Sequence, residues 1–97
     1  MKDKLKRIIN HYEINAQQRQ FAEEVFELQE AIVKAEQIKK LNQIFDKKAI
    51  AEEIADCMVM LNQFKEYYNI TDEQINKNIE YKVNRQIERI EKELKGE

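Results

Sequence analysis

Apolar residues recur at intervals of three and four positions through most of this chain, which is the pattern of helices that bury one side. The pattern separates into four stretches divided by short polar segments. The first predicted helix is short and ends near residue 13 or 14. Its apolar side consists of Leu5, Ile8, Ile9 and Tyr12.

The second predicted helix begins at Asn15, because Gln18 stands three residues later and the two have the form of a capping box. We expect it to run to about Leu41. Its apolar stripe consists of Phe21, Val25, Leu28, Ile32, Ala35 and Ile38.

The third and fourth predicted helices also carry start signals. Asp46 can cap a third helix that ends near Tyr68, and Thr71 with Gln74 forms a second candidate capping box ahead of the fourth. The apolar side of the third helix is Ile50, Ile54, Cys57, Met58, Leu61 and Phe64. That of the fourth is Ile75, Ile79, Val83, Ile87, Ile90 and Leu94, a stripe suited to packing on another helix at a shallow angle.

Composition supports an all-α class. The chain has 97 residues, no proline, a single glycine at Gly96 and 37% charged residues, which favours long helices over turn-rich β structure. We therefore expect one domain over residues 1–97, folded as a four-helix bundle-like protomer. A chain of this length buries only about 60 to 65% of its unfolded surface, so we also expect a dimer or a dimer of dimers.

Charge and cysteine content restrict the partners. The 17 basic and 19 acidic residues nearly cancel and are interleaved, so no basic face for a nucleic-acid polymer is expected. Cys57 is the only cysteine and, on an apolar stripe, is expected to pack rather than react. Because neither a signal sequence nor a run of about 18 apolar residues is evident, we expect a cytoplasmic protein without membrane contact.

Two groups of carboxylates interrupt the second and third helices beside their apolar stripes. These are Glu23, Glu24 and Glu27 in the first group, and Glu52, Glu53 and Asp56 in the second. Residues three apart are separated by about 60° around a helix, so each ExxE or ExxD pair faces one way. One such pair alone is usually a solvated surface, but two pairs on packed helices are costly unless a cation or proton offsets their repulsion.

Antiparallel packing of the second helix on the third would bring the two pairs together. Four oxygen donors with room for water and phosphate oxygens suit Mg²⁺, which keeps several waters and uses few protein carboxylates. Mn²⁺ is an acceptable substitute. The spacing therefore predicts a divalent metal site.

The order of these motifs resembles the MazG-like family of all-α nucleoside triphosphate pyrophosphohydrolases. The resemblance extends along nearly the whole chain. Its parts are Ala16-Gln17, the EExxE of residues 23–27 followed by Leu28, Glu53-Ile54-Ala55-Asp56, Tyr68-Asn69-Ile70 and Lys82-Val83-Asn84-Arg85.

The resemblance implies magnesium-dependent cleavage of a nucleoside or deoxynucleoside triphosphate to the monophosphate and pyrophosphate, as part of nucleotide-pool house-cleaning. Carried over by position, the metal ligands are Glu24, Glu27, Glu53 and Asp56. Glu23, beside the metal pair, is our candidate for orienting or deprotonating the attacking water.

The fourth helix offers the cations for the phosphates. Lys82 and Arg85 are the main candidates and Asn84 is a further one, although a stripe of basic residues among glutamates is also what an ordinary helix surface looks like. His11 and Tyr12, near the end of the first helix, could touch the base or sugar, as the first helix does in the family, but the more usual role for a residue such as His11 is at the surface or the helix end.

Two other functions fit the same sequence. Phosphoribosyl-ATP pyrophosphohydrolase shares the fold and acid arrangement of the family. A non-catalytic helical interaction module would use the apolar stripe of the fourth helix to bind a partner helix, and would be indifferent to magnesium.

Overall fold

The computed structural model describes residues 1–96 and is all-α, as predicted. The elements are α1 (Lys2–Tyr12), α2 (Ile14–Lys40), α3 (Lys47–Tyr67) and α4 (Asp72–Leu94). No strand occurs in the part of the chain that the structure describes. Within the same residues, every helix is too short or too polar to cross a bilayer.

Local capping signals placed two of the helix starts correctly. The Asp46 side chain accepts a hydrogen bond from the Lys48 amide at 2.9 Å, which fixes the first turn of α3. At the start of α4, Thr71 and Gln74 form the full reciprocal capping box. Each such cap contributes about 1 kcal/mol, and both depend only on residues close in sequence.

The predicted start of α2 at Asn15 is wrong. The helix begins at Ile14, and Glu13 is its N-cap, because the Gln17 amide already donates to the Glu13 carbonyl at 3.1 Å. No side-chain cap is present at this end. Glu13 has φ 69° and ψ 155°, a conformation rare for any residue but glycine, so the single residue between α1 and α2 turns the chain sharply.

Helices α1, α2 and α3 pack together and form the body of the protomer. Its buried apolar residues are Leu5, Ile9, Ala35, Cys57 and Met60. Phe21 and Phe64 meet edge to face with 5.4 Å between ring centres. Inside this core, Gln17 Nε2 donates to Gln63 Oε1 at 2.8 Å, and both side chains are buried.

Helix α4 does not join that packing, so the expected four-helix bundle within one protomer is wrong. Within residues 1–96, no α-carbon of α4 lies within 8 Å of one in α1, α2 or α3. The helix has no buried residue. The radius of gyration is 17.5 Å, compared with about 13 Å for a compact domain of this length.

Two apolar surfaces are left uncovered as a result. The first, called here the hairpin apolar face, consists of residues that were expected in the core but are 42 to 55% exposed: Val25, Ile32, Ile54, Met58 and Leu61. The second, called the α4 seam, consists of Ile79, Val83, Ile87, Ile90 and Leu94, which are 42 to 83% exposed.

Candidate metal centre

The antiparallel packing of α2 on α3 brings three of the predicted carboxylates together. Glu24 and Glu27 lie on consecutive turns of α2, and Glu53 faces them from α3. One carboxylate oxygen from each lies within 4.8 Å of the others. This spacing allows one small cation to contact all three oxygens.

Two oxygens of this group are buried and have no protein partner. They are Glu24 Oε2 and Glu53 Oε2, which find no hydrogen bond within residues 1–96. The other oxygen of Glu24 accepts from Gln20 Nε2 at 2.8 Å. Buried carboxylate oxygens are costly when unpaired, and a cation or a proton at these two atoms would offset that cost.

The pKa of Glu53 also indicates that a negative charge is unfavourable at this place. Burial of its carboxyl raises its pKa above the usual value, and the negative charges of Glu27, Asp56, Glu24 and Glu52 raise it further. The ionised form is therefore disfavoured until a positive charge arrives. No salt bridge joins Glu24, Glu27 or Glu53 to a cation of the described chain.

The donor set fits a hard divalent ion. Three carboxylates at the surface of a helix pair, two of them with unpartnered oxygens, leave open positions for water and phosphate oxygens, as magnesium requires. Nitrogen and sulfur ligands are not part of the group. Cys57 is buried nearby, and burial followed by the adjacent carboxylates raises the pKa of its thiol, so it stays protonated and packs in the core.

The remaining predicted acids lie at the edge of this group. Asp56 is exposed and its oxygens are outside the group of three, although its charge acts on Glu53. Glu23 is exposed and also lies outside. Their roles as fourth ligand and as base stay predictions.

The predicted phosphate-binding residues are not brought to the carboxylates within one chain. Lys82, Asn84 and Arg85 are exposed on α4, which meets α3 through the Lys65–Asp72 salt bridge at its first residue but does not pack on the body. Arg85 rests against the Tyr81 ring, with 5.5 Å to its centre. Around the helix, Lys82 lies about 100° from Val83 of the α4 seam and Arg85 about 160°, so Lys82 flanks the seam and Arg85 points nearly away from it.

An open cleft adjoins the carboxylates on the side of the α2–α3 connection. It has a volume of about 530 Å³ and lies between the C-terminal half of α2, residues 44–46 and the first turns of α3. Glu53 forms part of its wall. The sequence reasoning missed this cleft; the one available signal was the alanines at residues 31, 35 and 49, whose small side chains leave space between helices.

His11 and Tyr12 lie at the end of α1, both exposed, with their rings edge to face at 4.7 Å. The buried hydrogen bond between Gln17 and Gln63 was not predicted from the sequence. The two residues are 46 positions apart, and the residues around each one do not indicate the other as a partner.

Comparison with models of protein families, with curated proteins and with solved structures gave no match to this chain. The family resemblance therefore rests on the sequence motifs alone.

Proposed function

We propose that this protein is a magnesium-dependent nucleoside triphosphate pyrophosphohydrolase, which converts a nucleoside or deoxynucleoside triphosphate to the monophosphate and pyrophosphate in nucleotide-pool house-cleaning. The observation that carries the proposal is the group of Glu24, Glu27 and Glu53, with two buried oxygens that lack a partner. A bound cation would offset both the repulsion among the three carboxylates and the cost of the two unpartnered oxygens.

In the proposed reaction, Glu24, Glu27 and Glu53 hold the ion, and Asp56 completes its protein ligands. A magnesium ion held by these residues, or manganese in its place, would supply neutralisation of the phosphate oxygens. Glu23 orients or deprotonates a water for attack on the α-phosphorus. The bond to the bridging oxygen of the β-phosphate then breaks, and pyrophosphate leaves with that oxygen.

We further propose that the active form is a homodimer or homotetramer. The chain exposes 8416 Å², whereas a compact monomer of 11.7 kDa exposes about 5,900 Å², so the excess is roughly 2,500 Å² per chain. A standard interface needs only about 800 Å² from each partner. The hairpin apolar face and the α4 seam are the surfaces available for this contact.

Association of two chains would also bring basic side chains to the phosphates of the substrate. Lys82, Asn84 and Arg85 lie on a helix that does not pack on the body, and within residues 1–96 no salt bridge joins Glu24, Glu27 or Glu53 to a cation. We propose that α4 of a second copy brings these residues to the phosphates, with Lys82 foremost because it flanks the apolar seam.

A non-catalytic interaction module is the second candidate, and the exposed α4 seam favours it. That reading leaves the buried carboxylate oxygens without a purpose. It also predicts no response to magnesium, so the two functions are separable by experiment.

Hydrolysis in ¹⁸O-labelled water tests the chemistry. Purified protein is screened with Mg²⁺ against canonical and damaged nucleoside triphosphates, with phosphoribosyl-ATP included, and pyrophosphate is measured. We expect the label in the monophosphate. Label in pyrophosphate, or release of orthophosphate, would contradict the proposed cleavage.

Two variants then test the site. Glu53→Gln should abolish turnover and the magnesium-induced rise in melting temperature, which for an ion at a hundredfold excess over its dissociation constant reflects about 2.7 kcal/mol. Glu30→Gln, an exposed acid on α2 outside the group, is the matched control and should change neither. An unaltered magnesium response in Glu53→Gln would remove the assigned site.

A further inference from the structure

We infer that Gln20 is a positioning residue of the metal centre and makes it select Mg²⁺ over Ca²⁺. It does so by engaging one carboxylate oxygen of Glu24, so that only the other oxygen is free to bind the ion. This inference rests on the proposed function, because it assumes that Glu24, Glu27 and Glu53 hold a divalent ion. It goes further by giving a role to a residue outside the acidic motifs.

Gln20 and Glu24 are joined by a direct hydrogen bond. Gln20 Nε2 donates to Glu24 Oε1 at 2.8 Å. An ionised carboxylate can only accept, so the glutamine has to present its amide NH₂ group to it. Within residues 1–96, no other side chain donates a hydrogen bond to Glu24, Glu27 or Glu53. Glu24 is therefore the one carboxylate of the group that another side chain orients.

The position of this bond follows from the helix. Gln20, Glu24 and Glu27 stand at i, i+4 and i+7 of α2, so they lie on consecutive turns of one face. Side chains of a helix lean toward its N-terminus, which brings the Glu24 carboxylate toward Gln20. Because Glu27 is one turn further on, the amide approaches Glu24 from the side opposite to Glu27.

The two oxygens of Glu24 have different surroundings as a result. Oε1 accepts from Gln20, whereas Oε2 is buried and has no hydrogen-bond partner within residues 1–96. A hydrogen bond to an ionised group is about twice as strong as one between neutral groups, so releasing Oε1 has a cost. Glu24 is therefore expected to bind an ion through Oε2 alone.

Binding through one oxygen matters because Mg²⁺ and Ca²⁺ use carboxylates differently. Mg²⁺ requires a regular octahedron of oxygens at about 2.0 to 2.1 Å and takes few of them from the protein. Ca²⁺ takes about six to eight oxygens at roughly 2.3 to 2.6 Å and often binds both oxygens of one carboxylate. A Glu24 whose Oε1 is engaged by Gln20 suits Mg²⁺ and withholds one ligand from Ca²⁺.

Gln20→Met tests the role of the amide. Methionine is of similar length, is as good a helix former as glutamine and cannot donate this bond, and Gln20 is exposed, so the fold should be retained. We expect the Mg²⁺ affinity to fall about tenfold, as for other residues that orient a metal ligand. The Ca²⁺ affinity should stay equal or rise, because Oε1 becomes free. Competition against Mn²⁺, followed by electron paramagnetic resonance without nucleotide, measures both dissociation constants.

Gln18→Met is the matched control. Gln18 is also exposed and stands two residues before Gln20, so it lies about 160° away around α2. It should change neither dissociation constant. A residue that only stabilised the helix would act on both ions alike, so an unchanged ratio of the two constants in Gln20→Met would overturn the inference.

Infrared spectroscopy of the calcium-loaded protein gives a second readout, which does not depend on affinity. The separation of the two carboxylate stretching bands differs between binding through one oxygen and binding through both. Gln20→Met should show a stronger two-oxygen signal than the wild type and Gln18→Met. Identical spectra for the three proteins would reject the proposed role.

Pyrophosphate release is measured separately, so that the two proposals can fail independently. A changed ion ratio in Gln20→Met, together with a wild type that binds Mg²⁺ but hydrolyses no nucleoside triphosphate, would refute the proposed function and retain the role of Gln20. Magnesium-dependent hydrolysis with an unchanged ratio would retain the function and reject that role.

Discussion

The body formed by α1–α3 and the detached α4 differ in what holds them in place. The body has a small core, an internal amide pair and the three converging glutamates, so its geometry is set within one chain. Helix α4 has a complete N-terminal capping box but no tertiary contact from its apolar side. Most of the stability of a helix in a protein comes from packing of its apolar face against another element. The exposed apolar side of α4 is the feature on which the proposed association with a second chain rests.

The largest predicted effect comes from charging the α4 seam. Val83→Glu with Ile87→Glu should convert the oligomer to monomers, abolish turnover and reduce helix content, because each buried aliphatic side chain contributes about 1.5 to 3 kcal/mol. Light scattering and circular dichroism at micromolar concentration measure this. Lys92→Glu, on the opposite side of α4, is the control and should remain associated. A wild-type protein that is monomeric and fully active would contradict the idea that α4, unlike the body, depends on a second chain.

The next effect tests whether α4 acts across subunits. Glu53→Gln and Lys82→Ala are each expected to be inactive or nearly so. Mixing them after mild unfolding and refolding should restore part of the activity, since a mixed dimer contains one site with intact carboxylates from one chain and an intact α4 from the other. Absence of any recovery, although mass spectrometry shows mixed dimers, would place both residues in the same chain's site.

A smaller expected effect is the pH dependence of stability that arises from Glu53, which lies in the body. Because the folded-state pKa of Glu53 is raised above its ordinary 4.5, the stability it contributes is full below that ordinary value and is lost as pH rises through the folded-state pKa. Without metal, lowering the pH from 7.5 toward 5 should raise the melting temperature of the wild type relative to Glu53→Gln. With magnesium, the metal-induced gain should shrink over the same range, because protons compete for the site. Parallel pH profiles for the two proteins would be inconsistent with this.

The smallest effect lies at the junction between the two regions. Lys65 of α3 forms a salt bridge with Asp72 at the start of α4, and this hydrogen bond and charge lower the pKa of Asp72. The stability it adds is present above the ordinary value of 3.8 and is lost as pH falls through the lowered one. Asp72→Asn should lower the melting temperature slightly at pH 7, and the difference should vanish in acid.

Exposure of this pair limits the effect. Glu73→Gln removes the 3.3 Å contact with Lys77 inside α4 and should have no measurable consequence. A large loss of stability in Asp72→Asn would mean that the junction, rather than association, positions α4.

Features that depend on neighbouring residues were predictable from the sequence. Asp46 and the Thr71–Gln74 box are both present because a cap is decided within three residues. The convergence of Glu24, Glu27 and Glu53 was predictable because helical spacing and antiparallel packing suffice for it. Asn15 is not the cap because α2 begins one residue earlier, at Ile14, which places Asn15 inside the first turn.

Features that depend on distant packing were not predictable in the same way. Periodicity assigns Ile54 and Met58 to an apolar side, but it cannot say whether their own chain covers that side, and both are about half exposed. The same uncertainty applies to α4, whose seam is regular although no element of its chain meets it. The cleft beside Glu53 depends on how residues 44–46 return along α2, which spacing does not specify.

The Gln17–Gln63 hydrogen bond constrains how this sequence can drift over evolutionary time. One amide donates and the other accepts at 2.8 Å inside the core, so replacing either one alone strands a buried polar group at a cost of about 1 to 3 kcal/mol, whereas replacing both with apolar residues can be nearly neutral. Descendants of this chain should therefore change the two positions together, through a less stable intermediate. Among divergent relatives, positions 17 and 63 should vary as a pair.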